Sequence, residues 1–193
     1  MNNQTSSIGI ACSIFKNEIE FLIEKGKLNT HFIYVDSELH MEPQKLNQVL
    51  EKLIRPDCLF CYGDCHSRMI QQENSGLIER VNGLNCVEIF LGKETYRELR
   101  REGAFFLLPE WTLKWERIFK ELLGFHSQEL AAQFMNEMHK KLIYVNTGVH
   151  EIPVKTLDDI SKYFSMPVDV IEIDLIHLEN AIKNGLKHLH NEG

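Results

Sequence analysis

Three of the five cysteines, Cys12, Cys65 and Cys86, fall where the backbone leaves a strand or enters a helix. A thiol at the carboxyl end of a strand in an open α/β sheet stands on the rim where such folds bind ligands. Three thiolates converging there would leave a tetrahedral ion one open position, the arrangement of a catalytic or cofactor-handling centre. Zinc is the first expectation, and an iron–sulfur cluster or Cu(I) is compatible with the same donors. Cys65 follows Tyr62-Gly63-Asp64 and precedes His66, so thiolate, carboxylate and imidazole meet within three consecutive residues. Adjacent side chains seldom all bind one ion. Cys65 is therefore read as ligand or nucleophile and His66 as its general base or supporting partner. Cys86 opens an expected helix whose dipole would favour its thiolate. Cys58 and Cys61 spell C-x2-C with each other, but side chains alternate along a strand, so they point to opposite faces and are read as small core residues.

Other rim candidates come from the same reasoning. Gly63 permits a sharp exit from a strand and, with Asp64, is assigned to cofactor binding. Thr147 and Gly148, after a later strand, could bind an anion or form an ordinary turn. Glu110 follows Pro109 at another strand end and could serve as acid, base or ligand, or simply cap the next helix. His40 is a further rim histidine, read as solvated. No phosphate-binding glycine loop, nucleophile elbow or H-E-x-x-H helix occurs.

These residues must be positioned by alternating strands and helices. Apolar runs at Ile8–Cys12, His31–Val35, Cys58–Tyr62, Leu77–Val81, Ala104–Leu108, Leu142–Val145 and Val168–Ile173 read as strands. Helical spacing covers residues 18–25, 43–54, 94–101, 112–123, 128–139, 156–164 and 175–189. Asn85, with Glu88 three residues on, marks the start of a short helix from Cys86. The alternation predicts an α/β fold with a mostly parallel, Rossmann-like sheet covered by helices on both faces. No linker divides the 193 residues, so a single α/β domain over 1–193 is expected. Residues 64–76 and 82–93 read as irregular loops.

A net charge of −7 argues against nucleic acid or an anionic membrane as partner. Neither a signal peptide nor a membrane-spanning run is visible, so a cytoplasmic location with reduced thiols is expected.

The segments CYGDCH at 61–66 and NCVEIFLGKETYRELRREGAFFLLPEWT at 85–112 resemble the bacterial and archaeal proteins grouped as DUF1638. IGIACSIFKNEI at 8–19 and MHKKLIYVNTG at 138–148 are similar to the same family, which has no assigned function. The resemblance implies that Cys12, Cys65 and Cys86 match the family's cysteine positions. Many relatives carry glycine where this chain has His66 and Glu110, which confines any role of those two to a subset. Association of relatives with corrinoid-dependent methyl transfer implies one-carbon metabolism, with a small molecule or a corrinoid protein as partner. Three functions thus stand as expectations: a metal or cluster protein acting on a small molecule or methyl group; a metal-free enzyme using Cys65 as nucleophile; and a non-catalytic metabolite-sensing module.

Overall fold

The computed structural model describes residues 7–55, 58–65 and 69–191. The chain forms two compact units, one from the segments ending at Phe90 and beginning at Leu175, the other Leu91–Asp174. The first opens with strand β1 (Ile8–Cys12), a 3-10 turn (Ser13–Phe15) and helix α1 (Lys16–Glu24). Strand β2 (His31–Val35), a second 3-10 turn (Ser37–Met41) and helix α2 (Pro43–Glu51) follow. Strand β3 (Cys58–Cys61), α3 (Met69–Asn74), β4 (Glu79–Arg80) and α4 (Cys86–Leu91) complete this stretch. The second unit holds α5 (Lys93–Arg101), β5 (Ala104–Leu107), α6 (Pro109–Leu113), a π-helical segment (Glu116–Leu122), α7 (Gln128–Met138), β6 (Lys141–Asn146), α8 (Val154–Phe164) and β7 (Val168–Glu172). Helix α9 (Ile176–Asn191) returns the chain to the first unit, against β3 and β4.

The first unit's strands run parallel in the order β2-β1-β3-β4. Every residue of β3 is buried, as a parallel strand with both faces covered requires. Two glycines allow the layers to close. Gly9 lies under the ring of its cross-strand partner Phe32, where a Cβ would stand 2.2 Å from the ring. On α9, a Cβ at Gly185 would stand 2.4 Å from Leu59 Cδ1, so the missing side chain lets the helix seat on β3. Phe15, Ile19, Leu46, Phe60 and Phe90 fill the core around this sheet.

The second unit has a parallel sheet in the order β5-β6-β7. Its core is aromatic, with Phe119 and Phe164 in edge-to-face contact at 5.3 Å beside Trp115, Tyr144 and Ile118.

The α/β class with parallel strands flanked by helices agrees with the expectation. The strands divide between two sheets, however, where one was expected. Apolar runs announce buried strands but carry no information about which strand pairs with which. The helix expected over 112–123 is also broken: α6 starts earlier at Pro109, and the chain passes to π geometry, with Leu123 N donating to Ile118 O. Within 64–76, read as irregular, lies α3; four of the six residues of MIQQEN are polar, and Met69 is its buried anchor.

Candidate thiolate site

In the order β2-β1-β3-β4 the chain moves from β1 outward to β2 and then crosses to β3 on the other side. The carboxyl ends of β1 and β3 therefore flank the reversal of strand order, where open α/β sheets leave a crevice. Cys12 ends β1, and Cys65 lies on the exit from β3. The turn after β2 brings His40, and the segment after β4 ends at Cys86. All four groups thus come from one edge of one sheet.

Local contacts hold these exits together. A Cβ at Gly63 would stand 2.4 Å from Asn85 Cα and 2.9 Å from Leu84 O, so only glycine lets the β3 exit lie against the segment leading to Cys86. Asp64 N donates to Leu84 O across the same contact at 2.8 Å. Asn85 Oδ1 accepts from Glu88 N at 3.0 Å, the N-cap expected from the sequence. Arg80 clamps the assembly from β4. Its guanidinium pairs with Asp64 at 3.0 Å and Glu73 at 2.9 Å and donates to the carbonyls of Tyr62 at 3.3 Å and Gly83 at 3.1 Å. On the other side, Ser37 N donates to Ser13 Oγ at 2.9 Å, tying the exit from β2 to that from β1.

The three thiols and His40 lie within electrostatic reach of one another. Cys86 contacts both Cys12 and Cys65, and Cys65 also contacts His40. The hydrogen bond from Cys86 draws Cys65 down to about 5, against the opposing effect of burial; His40 and the backbone at Gly63 assist. Cys86 is pushed well above the usual thiol range, first by its contact with Cys12, then by Cys65 and burial. His40 is raised by its bond to Cys65. The shifts run in the direction of a Cys65 thiolate, with the proton kept on Cys86 and the charged form of His40 favoured. Tyr62 enters the same field. Burial, followed by Cys12, Cys65 and Cys86, raises its phenol far above the ordinary value. Its hydroxyl is buried without a hydrogen-bond partner.

The structure thus brings Cys12, Cys65 and Cys86 together, and adds His40 and Tyr62. His40 had been read as solvated; it is exposed on its outer side, yet it supports the Cys65 thiolate. That role becomes visible only once β2 is known to lie beside β1. Tyr62 belongs to the Y-G-x-C segment, but nothing in its residue type marked the phenol as facing sulfur. Cys86 departs from expectation. Its helix is six residues long, and its neighbouring sulfurs raise its thiol where a dipole was expected to lower it. Cys61 and Cys58 are buried core residues, and burial pushes the Cys61 thiol up.

The remaining candidates have other partners or belong to the second unit. Asp64 pairs with Arg80, and Gly63 serves the close approach of two backbones. His66 lies outside the described residues. Glu110, Thr147 and Gly148 belong to the second unit. Glu110 pairs with Lys114 at 2.9 Å. Asn146 Oδ1 accepts from Gly148 N at 3.1 Å, while Asn146 Nδ2 donates to Glu172 Oε2 at 2.8 Å, so residues 146–148 form a turn closed by its own side chain. Among the described residues no group of three or more His, Cys, Asp or Glu is drawn closely enough, as it stands, to hold a metal ion.

A family described as "Protein of unknown function (DUF1638)" matches residues 34–182. The chain belongs to the DUF1638 family. His40, Tyr62, Cys65 and Cys86 lie inside the DUF1638 match and Cys12 precedes it. No curated protein and no solved structure matches the chain. Among the described residues of this DUF1638 chain, no helix is long and apolar enough to cross a membrane.

Proposed function

We propose that this DUF1638 protein is a thiolate metal centre in which Cys12, Cys65 and Cys86 hold one soft ion, zinc first, and act on a small molecule. The observation that carries the reading is the interaction of Cys86 with both Cys12 and Cys65, which joins the end of β1, the exit from β3 and the start of α4. Burying sulfur donors beside one another, with one already ionised, is costly unless something cationic compensates. A thiophilic ion does so by replacing thiol protons, and binding would release them to solvent. The three thiols would have to close around the ion, with Cys86 giving up its proton. Three thiolates leave a tetrahedral ion one exchangeable position, where a soft nucleophile would be activated through a lowered pKa. Transfer of a methyl group between such a nucleophile and a corrinoid protein is the reaction class that the family resemblance suggests.

The test is elemental analysis of protein purified without oxygen, beside a variant with all three cysteines changed to serine. The proposal expects about one ion per chain in the native protein and none in the variant. Equal, trace amounts in both would overturn it. Iron together with acid-labile sulfide would identify a cluster as the occupant.

A second reading rests on the Cys65 thiolate itself. Held at about 5, Cys65 is almost fully ionised at neutral pH and suited to attack an electrophile, with Cys86 returning the proton. Metal-free protein in which Cys65 alone is rapidly alkylated, and whose activity survives chelators, would favour this reading over the first.

A further inference from the structure

A cavity of about 330 Å³ opens in the second unit between the π-helical segment, the start of α7 and α8. Trp115 and Tyr163 form a corner in its wall, with ring centroids 5.4 Å apart and planes at 62°. The Nζ of Lys120 lies 4.5 Å from the Trp115 centroid and 4.8 Å from that of Tyr163. The backbone accounts for this placement. Residues five apart face different ways on an α-helix, whereas π geometry stacks them, and Leu123 N donates to Ile118 O five residues back at 3.0 Å. Lys120 therefore comes back over Trp115. Tyr163 is fixed from α8 by its hydroxyl, which donates to Phe125 O at 2.6 Å. A turn that aims one ammonium at two ring faces has the geometry of a cation site.

We propose that this corner binds a small alkylated ammonium ligand, with Lys120 holding the place until the ligand enters. The site is independent of the metal-centre reading. Charge decides between a cationic and an anionic ligand. Lys120 is paired with Glu116 at 2.5 Å and Lys162 with Asp158, so both ammoniums are already matched. Asp159 adds a third carboxylate on the wall, and three carboxylates against two ammoniums leave one negative charge. Lys120 and Glu116 have side chains 30 % and 67 % exposed, so the pair can swing outward together and clear the rings. A primary ammonium is strongly hydrated. An ammonium carrying methyl groups gives up less water on entering the corner and lays apolar surface against Trp115 and Tyr163. Such a ligand is favoured over the resident lysine, and no covalent bond is made or broken.

Choline chloride is the probe, titrated into the full-length protein at an ionic strength held constant with sodium chloride and read by tryptophan fluorescence. A saturable change is expected in the native protein. The uncharged alcohol of the same shape, 3,3-dimethylbutan-1-ol, should bind roughly tenfold more weakly or worse. Lys120→Ala removes the competing ammonium and should tighten choline binding about two- to fivefold. Asp159→Asn, at an exposed position, removes the counter-charge and should weaken it about two- to fivefold. The native protein carries the first two measurements, so the test does not depend on either variant folding. No saturable change with choline in the native protein, equal affinity for the uncharged alcohol, or native affinity in both variants would overturn the inference. None of these results bears on the thiols of the first unit, so the two proposals stand or fall separately.

Discussion

Substitution of Gly63 by alanine probes how the site is assembled without touching any sulfur. The added Cβ would lie 2.4 Å from Asn85 Cα and 2.9 Å from Leu84 O, both backbone atoms that cannot rotate away. Restoring ordinary contact of about 3.4 Å requires the two segments to part by roughly 1 Å. The bond from Asp64 N to Leu84 O, now 2.8 Å, would stretch beyond useful length. Losing that bond costs about 1 kcal/mol, and forced overpacking typically adds about 1–3 kcal/mol. The expected destabilisation is therefore about 2–4 kcal/mol, read as a lower midpoint in urea, together with at least a tenfold loss of metal affinity as Cys65 and Cys86 separate. Gly124→Ala is the control. It has a positive φ of 76° but nothing within 4 Å, so it should cost about 1 kcal/mol and leave metal binding alone. A Gly63→Ala protein with native stability and native metal content would refute the claim that this close approach builds the site.

Other expectations follow from the same contacts. In metal-free protein, iodoacetamide should label Cys65 first, its rate rising through pH about 5 and then levelling, because the hydrogen bond from Cys86 lowers that thiol; mass spectrometry of quenched samples reads the site and the profile. Removing the assisting imidazole with His40→Ala should move the midpoint upward toward the ordinary thiol range, and an unchanged midpoint would exclude the contact. Arg80→Met leaves Asp64 and Glu73 facing each other without their shared cation. It should cost about 2–4 kcal/mol and weaken metal binding, measured by denaturation and by competition with a chelator. Cys58→Ala and Cys61→Ala should lower stability while leaving metal stoichiometry unchanged, since both thiols are buried in the strand core.

The sequence carried the elements more clearly than their arrangement. β1, at Ile8–Cys12, and β2, at His31–Val35, appear with the bounds expected of them, because compact apolar runs flanked by polar residues leave little choice. Places at strand ends and a helix start set Cys12, Cys65 and Cys86 apart, and strand alternation set Cys58 and Cys61 aside. The partition into two sheets was hidden, because strand pairing is a contact between distant residues that no local pattern encodes. His40 was hidden for the same reason: its value depends on β2 lying next to β1. Arg80 gave no sign either, since a basic residue on a two-residue strand looks like any surface charge until its four partners surround it. The reversal at Cys86 shows how a single argument, a helix start favouring a thiolate, yields to the nearer influence of two sulfurs.

Zinc K-edge X-ray absorption on the full-length protein, purified without oxygen, addresses the central claim most directly. A shell of three or four sulfur atoms at about 2.3 Å, reduced by one sulfur when Cys86 is changed to serine, is the predicted result. A first shell of nitrogen and oxygen alone, unaltered by that substitution, would contradict it.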